Sequence, residues 1–350
     1  MRPSFVAVTA LLAAGSAAAQ QQPAAGPKVL RVPAQYATVQ AAIDSAGPGD
    51  TVLVAPGRYY ENLRFGPRNL VLTSHYALGD RAAVAGTILD GSRPANPDTA
   101  SVIIIDGDQD STTVVQGFTI TGGTGTRWLD PRHKLVYREG GGILCEFAAP
   151  IIQFNIIERN EAVAKGEGDA SAGGGGIRCG FGEPTIRNNV IRQNRGRYGG
   201  GIVLFYAAAR VQNNLITGNS GGEEHGGAGI WAVGGHSRTA VNLIERNTVT
   251  GNEALPSDSA TPRDLRGKGG GMVVLGTPAV LRGNLVRDNR QQSGPQVLLS
   301  PRVVPALEHN VVQGGFRFGD GRTPPSTGTL DSMPAAGARS RYGADPARLP

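Results

Sequence analysis

Short apolar runs separated by polar and turn-forming residues recur through most of the chain, and many end in one motif: Asn, any residue, Ile or Val, two further residues, Asn. A run of glycines followed by one apolar residue precedes each full copy. Five full copies begin at Asn155, Asn189, Asn214, Asn247 and Asn284, and a degraded copy begins at Asn310. A motif that returns at such intervals indicates a repeated supersecondary unit.

The spacing of the copies predicts the architecture. From the leading apolar residue to the first Asn there are twelve residues in four copies and seventeen in the copy at Asn247, and successive copies begin 25 to 37 residues apart. A unit of two or three short strands cannot bury its apolar side alone, so the units must stack. We therefore predict an all-β fold, a parallel β-helix with coils about 4.8 Å apart, in which equivalent asparagines form a ladder.

The same patterns divide the chain into segments. The first residues place Arg2 before a short apolar run that ends in small residues, as in secretory signal peptides, and this run is too short to span a bilayer. The predicted segments are a signal peptide at 1–19, a flexible lead-in at 20–28, the β-helix at 29–319 and an irregular C-terminal tail at 320–350.

Composition narrows the class of partner. Hydrophobic residues make up 39% of the chain and fall in short runs, which favours a folded, turn-rich protein despite 52 glycines and 23 prolines. The formal net charge of +6 suits an anionic partner such as an acidic polysaccharide. The export signal and the lack of a recognised binding motif count against nucleic acid. We expect a monomer without a membrane span, either secreted or periplasmic.

The repeats and the N-terminal segment VPAQYATVQAAIDSAGPGDTVLVAPGRYYENLRF together resemble the right-handed parallel β-helix superfamily, which includes pectate lyases, polygalacturonases and pectin methylesterases. The resemblance extends over residues 28–319 and implies an exported protein that acts on or binds polysaccharide. It also implies that the N-terminal segment contains a short helix with Val39, Ala42, Ile43 and Ala46, which covers the open end of the coil stack. It does not name one activity, because the fold carries many.

No catalytic motif of these families is complete in the chain. The stretch GDQDST from Gly107 resembles the glutamine-aspartate region of pectin methylesterases but lacks its aromatic and paired-Asp context. The stretch WLDPRHK resembles the Asp-Pro-His-Asp element of mannuronan epimerases, with Arg132 inserted before His133 and Lys134 in place of the second Asp. The chain is therefore identified as a superfamily member without a family catalytic signature.

Two cysteines and three aromatic residues occupy equivalent positions in successive coils. Cys145 and Cys179 each follow a leading Ile by two residues, so they should stack and point inward. That arrangement suits either a disulfide or a pair of buried thiols, and both alternatives stay open. Phe147, Phe181 and Tyr206 each follow a leading Ile by four residues and are expected to stack in the core.

The connections from the second Asn of each unit to the next leading apolar residue vary in length. They are long at 124–139, 161–172 and 253–268, and short between the second and third of these. Equivalent loops of a β-helix stack along one side, so the long connections are expected to form the walls of a groove and the short ones its floor.

The residues of this groove could hold a charged sugar chain. Outward strand positions alternate with inward ones, so strand side chains join those of the loops. Arginines can bind a carboxylate in bidentate fashion, while aromatic rings can stack on a sugar. The candidate catalytic residues are Arg178, Arg197, Tyr198 and His225. The candidate substrate-binding residues are Trp128, His133, Lys134, Glu146, Arg195, Phe205, Glu224 and Trp231.

The residue types favour lyase or epimerase chemistry on a uronate polymer. That chemistry needs an electrophile for the carboxylate, which the arginines supply, and a base near the C5 proton, for which His225 or Tyr198 is best placed. Hydrolysis would need two carboxylates across the scissile bond, with Glu146 and Glu224 as the more plausible pair. We predict no cofactor and no metal site; assistance by Ca²⁺ stays an open alternative, although no cluster of aspartates indicates it. The alternative is a non-catalytic module that binds glycan or serves a structural role.

Overall fold

The computed structural model describes residues 26–130, 134–163, 168–223, 225–234, 241–255, 268–332 and 343–350. Regular structure in these residues is almost entirely β-strand, and the strands of successive coils pair in parallel. Each coil passes in turn through sheet 3, sheet 1 and sheet 2, and several coils add a strand to the short sheet 4. The predicted all-β parallel β-helix is confirmed.

Sheets 1 and 2 contain the strands that flank the first Asn of each motif. Sheet 1 consists of Val29–Val32, Thr51–Val54, Val71–Ser74, Val114–Gln116, Ile151–Gln153, Thr185–Arg187, Arg210–Gln212, Asn242–Glu245, Ala279–Arg282 and Ala306–Glu308. Sheet 2 consists of Gly57–Tyr59, Thr87–Asp90, Thr119–Thr121, Ile156–Glu158, Val190–Arg192, Leu215–Thr217, Thr248–Thr250, Leu285–Arg287 and Val311–Val312.

Sheets 3 and 4 flank the variable connections, and a further small sheet is built on one of them. Sheet 3 consists of Leu63–Arg64, Ile103–Ile105, Ile143–Glu146, Ile177–Gly180, Ile202–Phe205, Ile230–Val233, Met272–Leu275, Val297–Leu299 and Phe316–Phe318. Sheet 4 consists of Glu161–Ala162, Arg195–Gly196, Ser220–Gly221, Glu253–Ala254 and Arg290–Gln291. The hairpin sheet consists of Thr99–Ala100, Gly125–Leu129, Val136–Glu139 and Ser171–Gly173.

In the described residues, helical structure is confined to short segments: α-helices Val39–Ser45 and Arg81–Gly86, and a 3₁₀-helix Pro346–Arg348. The first helix begins after Thr38, whose hydroxyl accepts a hydrogen bond from Ala41 N at 3.1 Å. Val39, Ala42 and Ile43 are fully buried against the first strands, which confirms the predicted capping helix. None of the helices in the described part of the chain has the length and hydropathy needed to span a bilayer.

The asparagines of the motif form two buried ladders, as predicted. In each step, the side-chain oxygen of one asparagine accepts hydrogen bonds from the backbone N–H and the side-chain amide of its equivalent in the preceding coil; from Asn189 to Asn214 both bonds are 3.0 Å long. The Asn214 amide also donates to the carbonyl of Ile186 at 2.9 Å. The first ladder is Asn155, Asn189, Asn214, Asn247, Asn284 and Asn310, and the second is Asn160, Asn194, Asn219, Asn252 and Asn289, ending on Gln296.

The glycine runs make room for these ladders. A β-carbon at Gly176 would lie 2.6 Å from the carbonyl oxygen of Gly201 and 3.0 Å from the Asn194 side-chain nitrogen. Any other residue would push the neighbouring coil or the ladder amide away. The glycine signature is therefore a packing requirement of the β-helix.

The two ends of the chain differ from the repeats. Residues 1–25 lie outside the described residues, so the signal peptide at 1–19 and most of the lead-in stay predictions; Lys28 is tied to Asp50 by a 2.7 Å hydrogen bond. After residue 319, where an irregular tail is predicted, Thr327 bridges Glu308 and Leu330 bridges Val311 in parallel pairing. This part of the tail thus adds an incomplete coil to sheets 1 and 2.

Candidate functional site

The outward-facing positions of sheet 3 are buried rather than open. At the position after each leading apolar residue, seven successive coils place Ile104, Leu144, Arg178, Val203, Trp231, Val273 and Leu298, each with 7% of its surface exposed or less. The chain covers them as it turns into the strand: a β-carbon at Gly174, which has a φ of +67°, would lie 2.6 Å from the Arg178 β-carbon. Arg178 is the one charged residue in this row, which is otherwise apolar.

Arg178 is the centre of a buried charged cluster. Its guanidinium contacts Glu139 at 2.5 Å and also forms an ion pair with Glu146. Tyr198 donates its hydroxyl to the other oxygen of Glu139. The side chains of Arg178, Glu139 and Glu146 are each no more than 3% exposed, and Tyr198 is 4% exposed. Because one partner comes from the hairpin sheet and the others from sheet 3 and its turn, the cluster fastens the hairpin to the coils.

Burial dominates the protonation of this cluster. Two carboxyl groups face one guanidinium in a buried site, so ionisation of both would leave one negative charge without a partner. Desolvation raises the pKa of Glu139, against the opposing effects of Arg178 and the Tyr198 hydrogen bond. Desolvation and the neighbouring Glu139 also raise the pKa of Tyr198 well above its usual value. Tyr198 therefore stays protonated and is a hydrogen-bond donor at neutral pH.

Aromatic rings enclose the charged cluster. The Arg178 guanidinium lies 4.4 Å from the centre of the Trp128 ring and 5.0 Å from that of Phe205. Trp128 comes from the hairpin and Phe205 from the end of its sheet 3 strand, and both rings are half-buried. They form the boundary between the buried charges and solvent.

A second group of rings adjoins the cluster through Tyr198. Its ring centre lies 4.9 Å from that of Trp231 and 5.5 Å from that of His225, and the latter two rings are 6.1 Å apart. The expectation that Trp231 is exposed is wrong: it is 7% exposed, because the chain turn at 225–229 covers its row. Its indole nitrogen has no hydrogen-bond partner in the described part of the chain. His225 is half-buried at the edge of this group.

The predicted aromatic stack is present but lies on the surface, not in the core. Phe147 and Phe181 stack at 5.2 Å with an angle of 11°, and Phe181 and Tyr206 at 5.6 Å with an angle of 4°. Each residue has a φ between +51° and +53°, which turns its side chain out at the corner after the strand. Phe147 is 45% exposed, and the other two are half-buried. Stacked rings cover each other's faces, so the column offers mainly ring edges to a ligand.

The remaining candidates occupy several positions around the cluster. Arg195 lies on the outer face of sheet 4, 51% exposed, and contacts Glu161 at 3.6 Å and Glu223 at 3.3 Å. Arg197 is half-buried, and its backbone N–H donates to Ala172 at 3.0 Å. Lys134 is exposed in the hairpin connection. His133 and Glu224 lie outside the described residues.

The long connections do not simply form walls. The first, 124–139, folds into the strands Gly125–Leu129 and Val136–Glu139, and the second adds Ser171–Gly173 in parallel to the latter. Trp128 and Glu139 reach from this sheet onto Arg178, so the connection covers the outer side of sheet 3 at that coil. Arg178, Glu146 and Tyr198 were expected to face a groove; they face outward from the core but lie under this cover. Most of the third connection, 256–267, lies outside the described residues.

The two cysteines occupy equivalent positions in adjacent coils. Cys145 and Cys179 are register neighbours that point into the core, 1% and 0% exposed, and both are free thiols. Within the described ranges no group of three or more His, Cys, Asp or Glu side chains is placed to hold a metal ion. The expectation that the protein needs no cofactor stays a prediction.

Sequence reasoning brought together most of the cluster but missed Glu139. Tyr198, His225 and Trp231 are in ring contact, and Glu139 joins Tyr198 to Arg178. Glu139 was recognised only as the end of a long connection. The available signal was its place directly before the glycine run, the place that Tyr198 occupies two coils further along.

Comparison with known proteins agrees with the architecture. The model of the family described as "Right handed beta helix region" matches residues 101–295, more than half of the chain. The solved structure of pectin methylesterase PemA from Erwinia chrysanthemi is similar at 10% identity and a TM-score of 0.39, over 92% of this chain and 94% of that one. A pectin methylesterase in complex with a hexasaccharide has 11% identity and a TM-score of 0.31 over the same shares. No curated protein sequence matches the chain. The chain belongs to the right-handed β-helix family.

Proposed function

We propose that this member of the right-handed β-helix family binds a polysaccharide on the outer side of sheet 3 and does not cleave it. The observation that carries the proposal is the pairing of the arginines. Arg178 is buried between two carboxylates and Arg195 lies between two more, while the rings of Trp128 and Phe205 beside Arg178 are only half-buried. Ring surfaces, rather than free guanidinium groups, are available to a sugar chain.

The pairing of Arg178 and the hydrogen bond of Tyr198 remove two groups that a lyase could use. Elimination requires a cation that neutralises the uronate carboxylate and a base that takes the C5 proton. A substrate carboxylate at Arg178 would have to displace Glu139 or Glu146, leaving a protein carboxylate buried without its partner, which is costly. Tyr198 cannot act as the base while its hydroxyl donates to Glu139.

The partner class follows from charge and location. The formal net charge of +6 favours an acidic polymer over a neutral one through long-range attraction. The signal-peptide pattern at 1–19 suits export, so we infer that such a polymer is met in the periplasm or outside the cell.

A lyase or epimerase is the second candidate, and one observation favours it. Glu139 is a buried carboxyl whose pKa is raised and which contacts both an arginine and a tyrosine, an arrangement common at catalytic sites. For it to act, the hairpin that carries Trp128 and Glu139 would have to move away from sheet 3.

Binding and turnover assays on the same polymers separate the two candidates. We expect retention of the full-length protein on immobilised polyuronates without any unsaturated or epimerised product by ultraviolet absorbance and proton NMR. Trp128→Ala should weaken binding about tenfold, the size expected for losing one ring contact and its cation–π neighbour. Tyr60→Ala is the matched control, because Tyr60 is an exposed ring with an arginine 3.7 Å from its centre on another face.

Two results would contradict the binding proposal. Product formed by the wild-type protein and lost in Glu139→Gln would establish the enzyme instead. Equal binding by the wild type, Trp128→Ala and Tyr60→Ala would show that this face is not the binding surface.

A further inference from the structure

A cavity of about 520 Å³ lies at the C-terminal end of sheet 3, away from the charged cluster. Its size is within the range of small-molecule sites, roughly 300 to 1,000 Å³. Leu298 lies in its floor and belongs to the same outward row as Trp231, two strands further along the axis. With strands about 4.8 Å apart, the two positions are separated by roughly 10 Å along the same face.

The cavity is cationic. Lys268 and Arg317 line it, and neither has a carboxylate within ion-pair distance in the described part of the chain. Among the described residues that line the cavity there is no aspartate or glutamate. This is the reverse of the charged cluster around Arg178, where two carboxylates face one cation.

Each cation packs or bonds against its surroundings, with no carboxylate partner among the described residues. The Lys268 side-chain carbons lie against Gly294, where an added β-carbon would be 3.6 Å away. The Arg317 guanidinium donates one hydrogen bond of 2.8 Å to the Phe316 carbonyl, which leaves its other N–H groups for a ligand. Positioned cations that lack an anion are what a carboxylate ligand requires.

The rest of the lining suits a sugar ring. Leu298 is 2% and Phe318 is 7% exposed, and they provide an apolar floor. Gln291 contributes a side-chain oxygen that is buried without a hydrogen-bond partner. Gln313 receives hydrogen bonds at its oxygen from Asp288 and Gln296, so its amide group is oriented and can donate. An apolar floor with a few fixed donors and acceptors is the usual composition of a sugar or small-molecule site.

We propose that this cavity binds a carboxylate-bearing sugar unit, with Lys268 and Arg317 holding the carboxylate and Gln291 and Gln313 the hydroxyls. The ligand class rests on the proposed function, whereas the site itself does not. A chain that lies along sheet 3 could contact Trp128 at one end and this cavity at the other. Occupation of both would strengthen binding through the effective concentration of the second unit.

The test uses isothermal titration calorimetry on the full-length protein with three probes: a digalacturonate, its methyl ester and inorganic phosphate. We expect digalacturonate to bind the wild type at least tenfold more tightly than the ester does. Lys268→Gln and Arg317→Gln should each weaken digalacturonate binding about tenfold, the loss of one charge-assisted hydrogen bond. Arg302→Gln is the matched control, because it removes the same charge from an exposed residue outside the cavity.

The outcomes separate this inference from the proposed function. If the two cavity variants bind digalacturonate like Arg302→Gln, the inference is wrong, and Trp128→Ala still tests the first site with long polymer. If phosphate binds as tightly as digalacturonate, the cavity is a simple anion site and the sugar assignment fails. If cavity variants lose digalacturonate while Trp128→Ala binds polymer normally, the inference stands and the first site is the error. Circular dichroism and thermal unfolding should match the wild type for all variants.

Discussion

Two sets of buried polar side chains run along this β-helix, and they are satisfied in different ways. An asparagine of the ladders bonds to the same residue type in the next coil, as Asn189 does to Asn214 across 25 residues. Arg178 instead takes Glu139 from the hairpin, and Glu139 in turn takes Tyr198 across 59 residues. Because the coils repeat, each ladder asparagine has its hydrogen-bond partner at the equivalent position of the next coil. Arg178 and Glu139 need partners from connections that do not repeat, so their cluster is specific to one place in the fold.

The largest loss of stability is expected at Arg178. Replacement by Met leaves Glu139 and Glu146 buried without a cation, and we expect a loss of about 3 to 5 kcal/mol in the free energy of unfolding. Arg290→Met is the control, since Arg290 is 79% exposed in its pair with Glu253 and should cost less than about 1 kcal/mol. Denaturant unfolding measures both. Similar losses in the two variants would mean that burial of the cluster does not matter.

A slightly smaller loss is expected at the middle of a ladder. Asn219→Ala removes the acceptor for Asn194 and the donor to the Ile191 carbonyl, and should cost about 2 to 4 kcal/mol by leaving buried groups unpaired. Asn310→Ala, at the last step of the other ladder, should cost less because fewer coils follow it. The same denaturant experiment compares the two. A larger effect at Asn310 would contradict the view that the ladder acts step by step.

The raised pKa of Glu139 predicts a pH dependence that the ladders lack. The native state keeps the proton on Glu139 at pH values where the unfolded chain, with an ordinary pKa near 4.5, has lost it. Its contribution to stability is therefore complete below pH 4.5 and decreases as the pH rises towards the raised pKa. Glu139→Gln should reduce this decrease, whereas Glu253→Gln on the surface should not. Unfolding free energies from pH 4 to 8 that fall equally in all three proteins would refute the assignment.

The smallest effect is expected at Arg195. Its side chain is 51% exposed and contacts Glu161 and Glu223 at 3.6 and 3.3 Å, so Arg195→Gln should cost less than about 1 kcal/mol. Added salt should abolish even this difference, because exposed pairs are screened. A larger, salt-independent loss would indicate that sheet 4 depends on its charged row.

Much of the fold could be predicted because each coil repeats its requirements. Asn189, Ile191 and Gly176 do the same work as their equivalents one coil away, so the motif indicates inward side chains, ladders and close coil contacts. The capping helix followed from the resemblance of the N-terminal segment to other exported β-helix proteins. The aromatic stack was predicted in composition but assigned to the core, because the positive φ after each strand is not visible in the spacing of Phe147 and Phe181.

The site depends on information that a periodic pattern does not contain. Alternation along a strand correctly places Arg178 and Glu146 on the outer side of sheet 3. Whether that side meets solvent depends on where a non-repeating connection folds, and the hairpin that brings Trp128 and Glu139 over Arg178 decides it. The sequence by itself determined the repeating coil, its asparagine ladders and the parallel direction of its strands, since these rest on contacts between like residues. Only the tertiary structure decided which charges are buried together and, at Lys268 and Arg317, which have no carboxylate partner among the described residues, because those contacts join unlike segments.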